Sequence, residues 1–243
     1  MSNKVIIVGA TSGMGKRIAE LYTEKGWKVG ITGRRQDLLD ELKNKYPTQI
    51  ESECFDITKN ENIERLQSLI QKLGGLDLLI ISAGGGDTSD DLSWELDKWM
   101  VDINVNGFVQ IANWTFNYFI NQGYGHMAVI SSIAAYRGNS QAPAYSASKA
   151  FQSIYFEGLA LKARRVNKIS KKDITVTCIE PGFVDTKMAK SKKLFWVVPV
   201  DKAARQIMRG IERKKRKVYI SRRWRIVAWI MKLIPYGIYK RIA

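Results

Sequence analysis

The stretch Val5-Ile6-Ile7-Val8-Gly9-Ala10-Thr11-Ser12-Gly13-Met14-Gly15 runs from an unbroken apolar segment into three glycines, and Lys16-Arg17-Ile18-Ala19-Glu20-Leu21-Tyr22 then places apolar residues at helical spacing. The first segment reads as a buried strand and the last as a helix. Between them, glycines let the backbone approach a pyrophosphate closely, and the free amides and positive dipole end of the helix attract it. This order predicts a Rossmann-like, doubly wound parallel α/β sheet, with Gly9, Thr11, Ser12, Gly13, Met14 and Gly15 at the phosphates of a dinucleotide.

The rest of the chain alternates in the same way. Strand-like runs at 29–32, 50–55, 76–81, 127–131, 174–179 and 218–220 are separated by helical patterns at 36–46, 61–73, 94–119, 145–161 and 200–213. The continuous apolar run at 76–81 fits a sheet covered on both faces. At 243 residues one domain is expected. Residues 1–186 form its binding and catalytic core, 187–221 a substrate lid with the last helix and strand, and 222–243 a basic amphipathic tail. Three connections read as irregular. Residues 164–172 look like a basic flexible link, Gly84-Gly85-Gly86 with Asp87, Asp90 and Asp91 like a mobile loop, and 134–144 like a loop lining a substrate pocket through Tyr136, Arg137 and Gln141.

Composition removes several classes of function. Cys54 and Cys178 are too few for a disulfide framework and read as buried, inert thiols. The single histidine, His126, assembles neither a metal cluster nor a histidine-based triad, so no metal is expected. The chain starts almost directly with a strand, leaving no room for a cleavable leader, and a cytoplasmic location is expected. The net charge of +16 is uneven: residues 161–243 hold 24 Lys and Arg against 5 Asp and Glu, residues 1–160 hold 15 against 18. That asymmetry points to an anionic partner.

Two places carry chemistry. The strand at 29–32 ends in Gly33-Arg34-Arg35, where an acidic residue would hold the ribose hydroxyls of NAD. Glycine followed by arginines suits the 2′-phosphate of NADP instead, which a guanidinium grips with two parallel bonds. Further on, Tyr145 stands four residues before Lys149, neighbours on one helix face, where the ammonium favours the phenolate and lowers a tyrosine pKa of about 10. Tyr236 and Lys240 repeat the spacing, but only the first pair follows a strand ending in a serine, Ser132.

With Ser132, Tyr145 and Lys149 in this order, the chain resembles the short-chain dehydrogenase/reductase family. The resemblance covers nearly all of 4–186, although Val8 replaces the family's usual Thr and Ser82 the second Asn of its Asn-Asn-Ala-Gly element. It implies that Asp56 and Ile57 hold the adenine, that Ser82, Ala83 and Gly84 pass beside the cofactor, and that Pro181, Gly182, Val184 and Thr186 meet the nicotinamide and a phosphate. It names Asn104, with Asn106 as competitor, as a fourth catalytic residue holding a water that feeds protons to Lys149. A homodimer or homotetramer is also implied, packed through long helices, with Trp99, Trp114, Phe151 and Phe156 serving either that contact or the core.

The implied activity is hydride transfer from NADPH to a small-molecule carbonyl, a hydrophobic or lipid-like ketone, with Tyr145 as proton donor. A 3-oxoacyl-[acyl-carrier-protein] reductase and a non-catalytic NADP-binding scaffold are the rivals. Residues 222–243 interleave cations with Trp, Ile and Leu, which fits the interface of an anionic membrane or a C-terminal helix packed on the protein, and fits no nucleic-acid module.

Overall fold

The computed structural model describes residues 3–186 and 195–241. Seven strands, β1 (Lys4–Val8), β2 (Lys28–Gly33), β3 (Ile50–Cys54), β4 (Leu78–Ile81), β5 (Tyr124–Ile130), β6 (Asp173–Pro181) and β7 (Lys217–Ile220), form one parallel sheet in the order β3-β2-β1-β4-β5-β6-β7. The chain winds outward from β1 to β3, then returns to place β4 on the other side of β1. Connections leave β1 and β4 in opposite directions, which opens a crevice beyond the carboxyl ends of these two strands.

Both faces of the sheet are buried, so at its centre β4 and, after Lys4, β1 are apolar throughout rather than alternating, whereas the edge strand β3 is not. On one face, α1 (Gly13–Glu24), α2 (Gln36–Lys45) and α7 (Val200–Glu212) pack over Val5, Ile7, Ile31 and Ile80. On the other, α3 (Asn62–Leu73), α5 (Phe108–Gln122) and α6 (Pro143–Ser170) pack over Ile6, Val8, Leu79 and Met127. Phe156 of α6 is core, 1% exposed, while Phe151, Ile154 and Leu161 on its far side face outward.

Five sequence expectations change. The long pattern at 94–119 is two helices, α4 (Trp94–Val101) and α5, joined by a π-helical segment at Asp102–Gly107. The region 164–172 is not a link: α6 continues to Ser170, because Arg and Ala are good helix formers and Ala163 and Val166 still meet the core. That helix begins at Pro143 rather than Tyr145, with the proline in its first turn, where no amide bond is lost. Ile133–Tyr136 forms a 3-10 turn within the expected loop, and Cys54 is only half-buried.

The tail does pack on the protein. Helix α8 (Arg222–Leu233) follows β7 and is succeeded by the short α9 (Tyr236–Tyr239). Trp224 and Ala228 of α8 are buried, and the Trp224 indole lies so close behind Gly182 that a Cβ there would fall 2.1 Å from the ring. Of the proposed lid, Phe195 and Trp196 join Phe183 and Trp224 in an aromatic cluster; residues 187–194 lie outside those described.

His126 on β5 illustrates the cost of an interior histidine. Thr177 Oγ1 donates to the Lys215 carbonyl, so its oxygen is left to accept the Nε2 proton of His126 at 2.8 Å. Burial, helped by the Lys214 charge, lowers the imidazole pKa to about 4. Its folded pKa lies below the unfolded value of about 6.5, so the unfolded chain binds more protons between the two and stability falls on acidification. Wild-type protein is therefore expected to lose up to about 3 kcal/mol from this site between pH 6.5 and 4. His126→Gln should flatten that part of the pH–stability curve in urea titrations.

Candidate active site

The crevice at the β1/β4 switch is a cleft of about 800 Å³. Its floor is the glycine turn. Gly15 sits so tightly under Gly9 that a Cβ would fall 2.1 Å from the Gly9 carbonyl oxygen and 2.9 Å from Ser82 Oγ, so any side chain would push helix and strand apart. Ser12 precedes α1 in extended conformation and makes no side-chain cap, leaving the first amides of the helix free for an anion. Thr11, Ser12, Gly13 and Met14 line the cleft on one side, and Thr186 approaches Gly13 from the other.

At the far end of the cleft, Arg34 and Arg35 stand where β2 gives way to α2. Arg35 donates to Thr11 Oγ1 at 2.6 Å and to Ser12 Oγ at 3.1 Å, and Arg34 lies 3.6 Å from the Asp56 carboxylate. Asp56 also accepts from the amide and hydroxyl of Thr58, so it closes its own turn while facing the cleft beside Ile57. Ser82, Ala83 and Gly84 form the wall at the end of β4. Of the glycine-rich stretch that follows, Gly85 lies against the Trp99 ring and Gly86 against the Tyr145 ring.

Tyr145 therefore abuts the inner end of the cleft. Ser132, extended just beyond β5, accepts the Ala134 amide at 3.1 Å and stands beside Tyr145, whose phenol its hydroxyl makes more acidic. Burial pushes the phenol pKa up, and the neighbouring Ser132 hydroxyl draws it part of the way back. This differs from the expectation that Lys149 acidifies it. The Lys149 ammonium lies over the Tyr145 ring, 5.9 Å from its centroid, and donates to the Ile130 carbonyl at 3.1 Å and to Gln152 Oε1 at 3.0 Å. Among the described residues no carboxylate pairs with it, and burial lowers its pKa to about 8.

Asn104 completes the group, and Asn106 does not: the latter is exposed and bonds Asp102 on its own helical turn. Asn104 is fully buried, its side chain clasping the Gly85 amide at 2.9 Å and carbonyl at 2.7 Å and donating to Ser148 Oγ at 3.0 Å. Its main-chain carbonyl, released by the π-helical register, accepts the Gln152 amide at 2.9 Å. The same Gln152 side chain accepts from the Lys149 ammonium, so it links Asn104 to Lys149.

Sequence reasoning missed Gln152 and Glu180. The signal for Gln152 was a polar residue on the core-facing side of α6, three positions after Lys149. Glu180, fully buried at the end of β6, pairs with Lys217 at 2.8 Å and accepts from Tyr136 and Ser153. Tyr136 thus spends its hydroxyl on Glu180 and does not line the cleft described above. Arg137 is likewise engaged elsewhere, donating to the carbonyls of Met231 and Ile234, and Gln141 bonds Asp90. Pro181 ends β6, Gly182 rests on Trp224, and Val184 is buried in a bridge to Val198.

The chain belongs to the short-chain dehydrogenase family, whose model matches residues 3–195. It is 29% identical to an uncharacterized oxidoreductase of Myxococcus xanthus (strain DK1622), over 98% of this chain and 95% of that one. It is 33% identical to an uncharacterized oxidoreductase of Staphylococcus aureus (strain MRSA252), over 76% and 80%. Its fold matches a short chain dehydrogenase from Burkholderia cenocepacia J2315 in complex with NADP, with a TM-score of 0.83, 20% identity and coverage of 99% and 97%.

The buried ammonium has a measurable signature. Its folded pKa of about 8 lies below the ordinary 10.5, so the unfolded chain holds more protons between these values and stability rises with pH across that window. We expect wild-type protein to gain up to about 3 kcal/mol there by this route and Lys149→Met to lack that gain, read from denaturant titrations across the window. Gln152→Leu, which removes an acceptor from the ammonium, should move the lower edge of the window to lower pH.

Proposed function

We propose that the protein is an NADPH-dependent carbonyl reductase of the short-chain type, acting on an apolar ketone. The observation that carries this reading is the meeting of Ser132, Tyr145 and Lys149, backed by Gln152 and Asn104, at the inner end of a cleft floored by the glycine turn. The cleft residues suit the cofactor: close-packed glycines and free α1 amides for the pyrophosphate, and Arg34 and Arg35 for a 2′-phosphate. Asp56 and Ile57 fit the adenine end, and Ser82 to Gly84, Pro181 to Gly182, Val184 and Thr186 the nicotinamide end. Bound NADPH supplies the hydride.

The protein's side chains manage the proton. Ser132 donates a hydrogen bond to the substrate oxygen, and Tyr145 gives up its phenolic proton as the carbonyl carbon is reduced, leaving an alcohol and a phenolate. A raised phenol pKa keeps Tyr145 protonated at neutral pH, the form that reduction needs. Lys149, cationic below about pH 8, stabilises the phenolate, and Gln152 and Asn104 hold the lysine in place. The apolar side chains of Phe183, Phe195 and Trp196 beyond Gly182 favour a greasy substrate. The outward Phe151 and Ile154 of α6 support a homo-oligomer packed through that helix.

Tyr145→Phe should still bind NADPH while turning over at least about 100-fold more slowly, and near-normal turnover would sink the assignment. Separately, saturating NADPH should raise the unfolding temperature by about 5 °C or more, NADH by much less. Arg34→Ala/Arg35→Ala should erase that preference; an unchanged preference would make the arginines surface charge.

A further inference from the structure

Helix α8 has two apolar faces. Trp224, Val227, Ala228 and Met231 recur at three- and four-residue spacing and turn toward the protein. About 100° per residue places Ile226, Trp229, Ile230 and Leu233 on the opposite side, and they are 61%, 63%, 55% and 77% exposed. Tyr236 and Ile238 of the adjoining α9 are also exposed. A solvated helix needs only the first stripe, so the second calls for an occupant.

The flanking charges identify its chemistry. On the helical projection Arg225 and Lys232 border the outward stripe on one side and Arg223 on the other, with Arg222 at its start. From 221 to 241 there are six Lys and Arg and no Asp or Glu. A second copy of the chain meeting this face about a two-fold axis would set cation against cation, with no carboxylate of the segment to balance them. A nucleic-acid backbone would satisfy the arginines and leave the indole and aliphatic groups in water. An anionic bilayer satisfies both, taking the apolar row between its headgroups and the cations beside the phosphates. At 12 residues, about 18 Å long, the helix can lie in the interface but cannot cross a hydrocarbon layer of about 30 Å. Among the described residues no helix is long and apolar enough to span a membrane.

We infer that the outward face of α8, continued by α9, docks the protein on the surface of an anionic lipid bilayer. Because Ile220 of β7 pairs with Pro181 of β6, α8 departs from the carboxyl edge of the sheet. Docking by this face therefore brings the edge bearing Gly182 and the Ser132 turn toward the lipid.

The test is sedimentation of the full chain with vesicles, without cofactor. Vesicles of phosphatidylcholine with about 30 mol% phosphatidylglycerol should carry the protein down and pure phosphatidylcholine should not. Raising salt from about 0.1 to 1 M, which shortens screening from about 10 to 3 Å, should weaken binding. Trp229→Ser/Leu233→Ser and, separately, Arg222→Glu/Arg225→Glu should each weaken it at least about tenfold with unfolding temperature unchanged. Tyr145→Phe should bind vesicles like wild type, which keeps this result apart from that of the reaction. Equal recovery with neutral vesicles, or none with anionic ones, overturns the inference. So does a dimer in solution that Trp229→Ser/Leu233→Ser converts to monomer, which would give the face to a second copy.

Discussion

A lysine ammonium buried among neutral oxygens is the constraint on which the centre of this molecule depends. Among the described residues Lys149 has the Ile130 carbonyl and the Gln152 amide oxygen to replace its water, and each is in place for a separate structural reason. Ile130 closes β5. Gln152 is fixed by the Asn104 carbonyl, which is available because the helix slips into π register at Asp102–Gly107. Asn104 is itself clasped by Gly85. One charge thus ties together the end of a central strand, the loop after β4 and two helices. The stability lost in burying it is the usual cost of a preorganised site.

A second buried charge organises the other side. Glu180 gathers Lys217, Tyr136 and Ser153 from β7, the turn after Ser132 and α6. Arg137 then ties that turn to the end of α8 by two carbonyl bonds and a cation–π contact with Tyr239 of α9. Ser132 consequently sits between two anchored segments, held from the sheet on one side and from the C-terminal helices on the other. In the proposed reaction this hydroxyl meets both Tyr145 and a substrate oxygen, and it gains from being fixed this way.

Much of the fold was legible because strands buried on both faces and amphipathic helices leave different periodicities. The glycine turn was readable since close backbone approach admits almost no other residue. The Ser132, Tyr145 and Lys149 trio was readable because helix spacing fixes two of its members. What escaped were long-range polar contacts. Nothing local says that Gln152 faces a carbonyl 48 residues earlier, or that Glu180 and Lys217 pair across neighbouring strands. The end of α6 was misread because a run of Arg and Lys looks the same in a solvated helix as in a loop. The Tyr145 pKa went the other way because spacing places Lys149 nearby without saying where its amine points.

The indole behind Gly182 has a consequence for how the molecule is made. Synthesis proceeds from the N-terminus at about 5–20 residues per second, and domains assemble as their parts emerge. Trp224 and the carbonyls that receive Arg137 come after all seven strands in the chain. The backing of the Pro181-Gly182 corner and one tether of the Ser132 turn are therefore added to a sheet whose strands have already been translated. A nascent chain can bury both faces of β1 and β4 while this corner still lacks its support, so the cleft is finished later than the core that carries it.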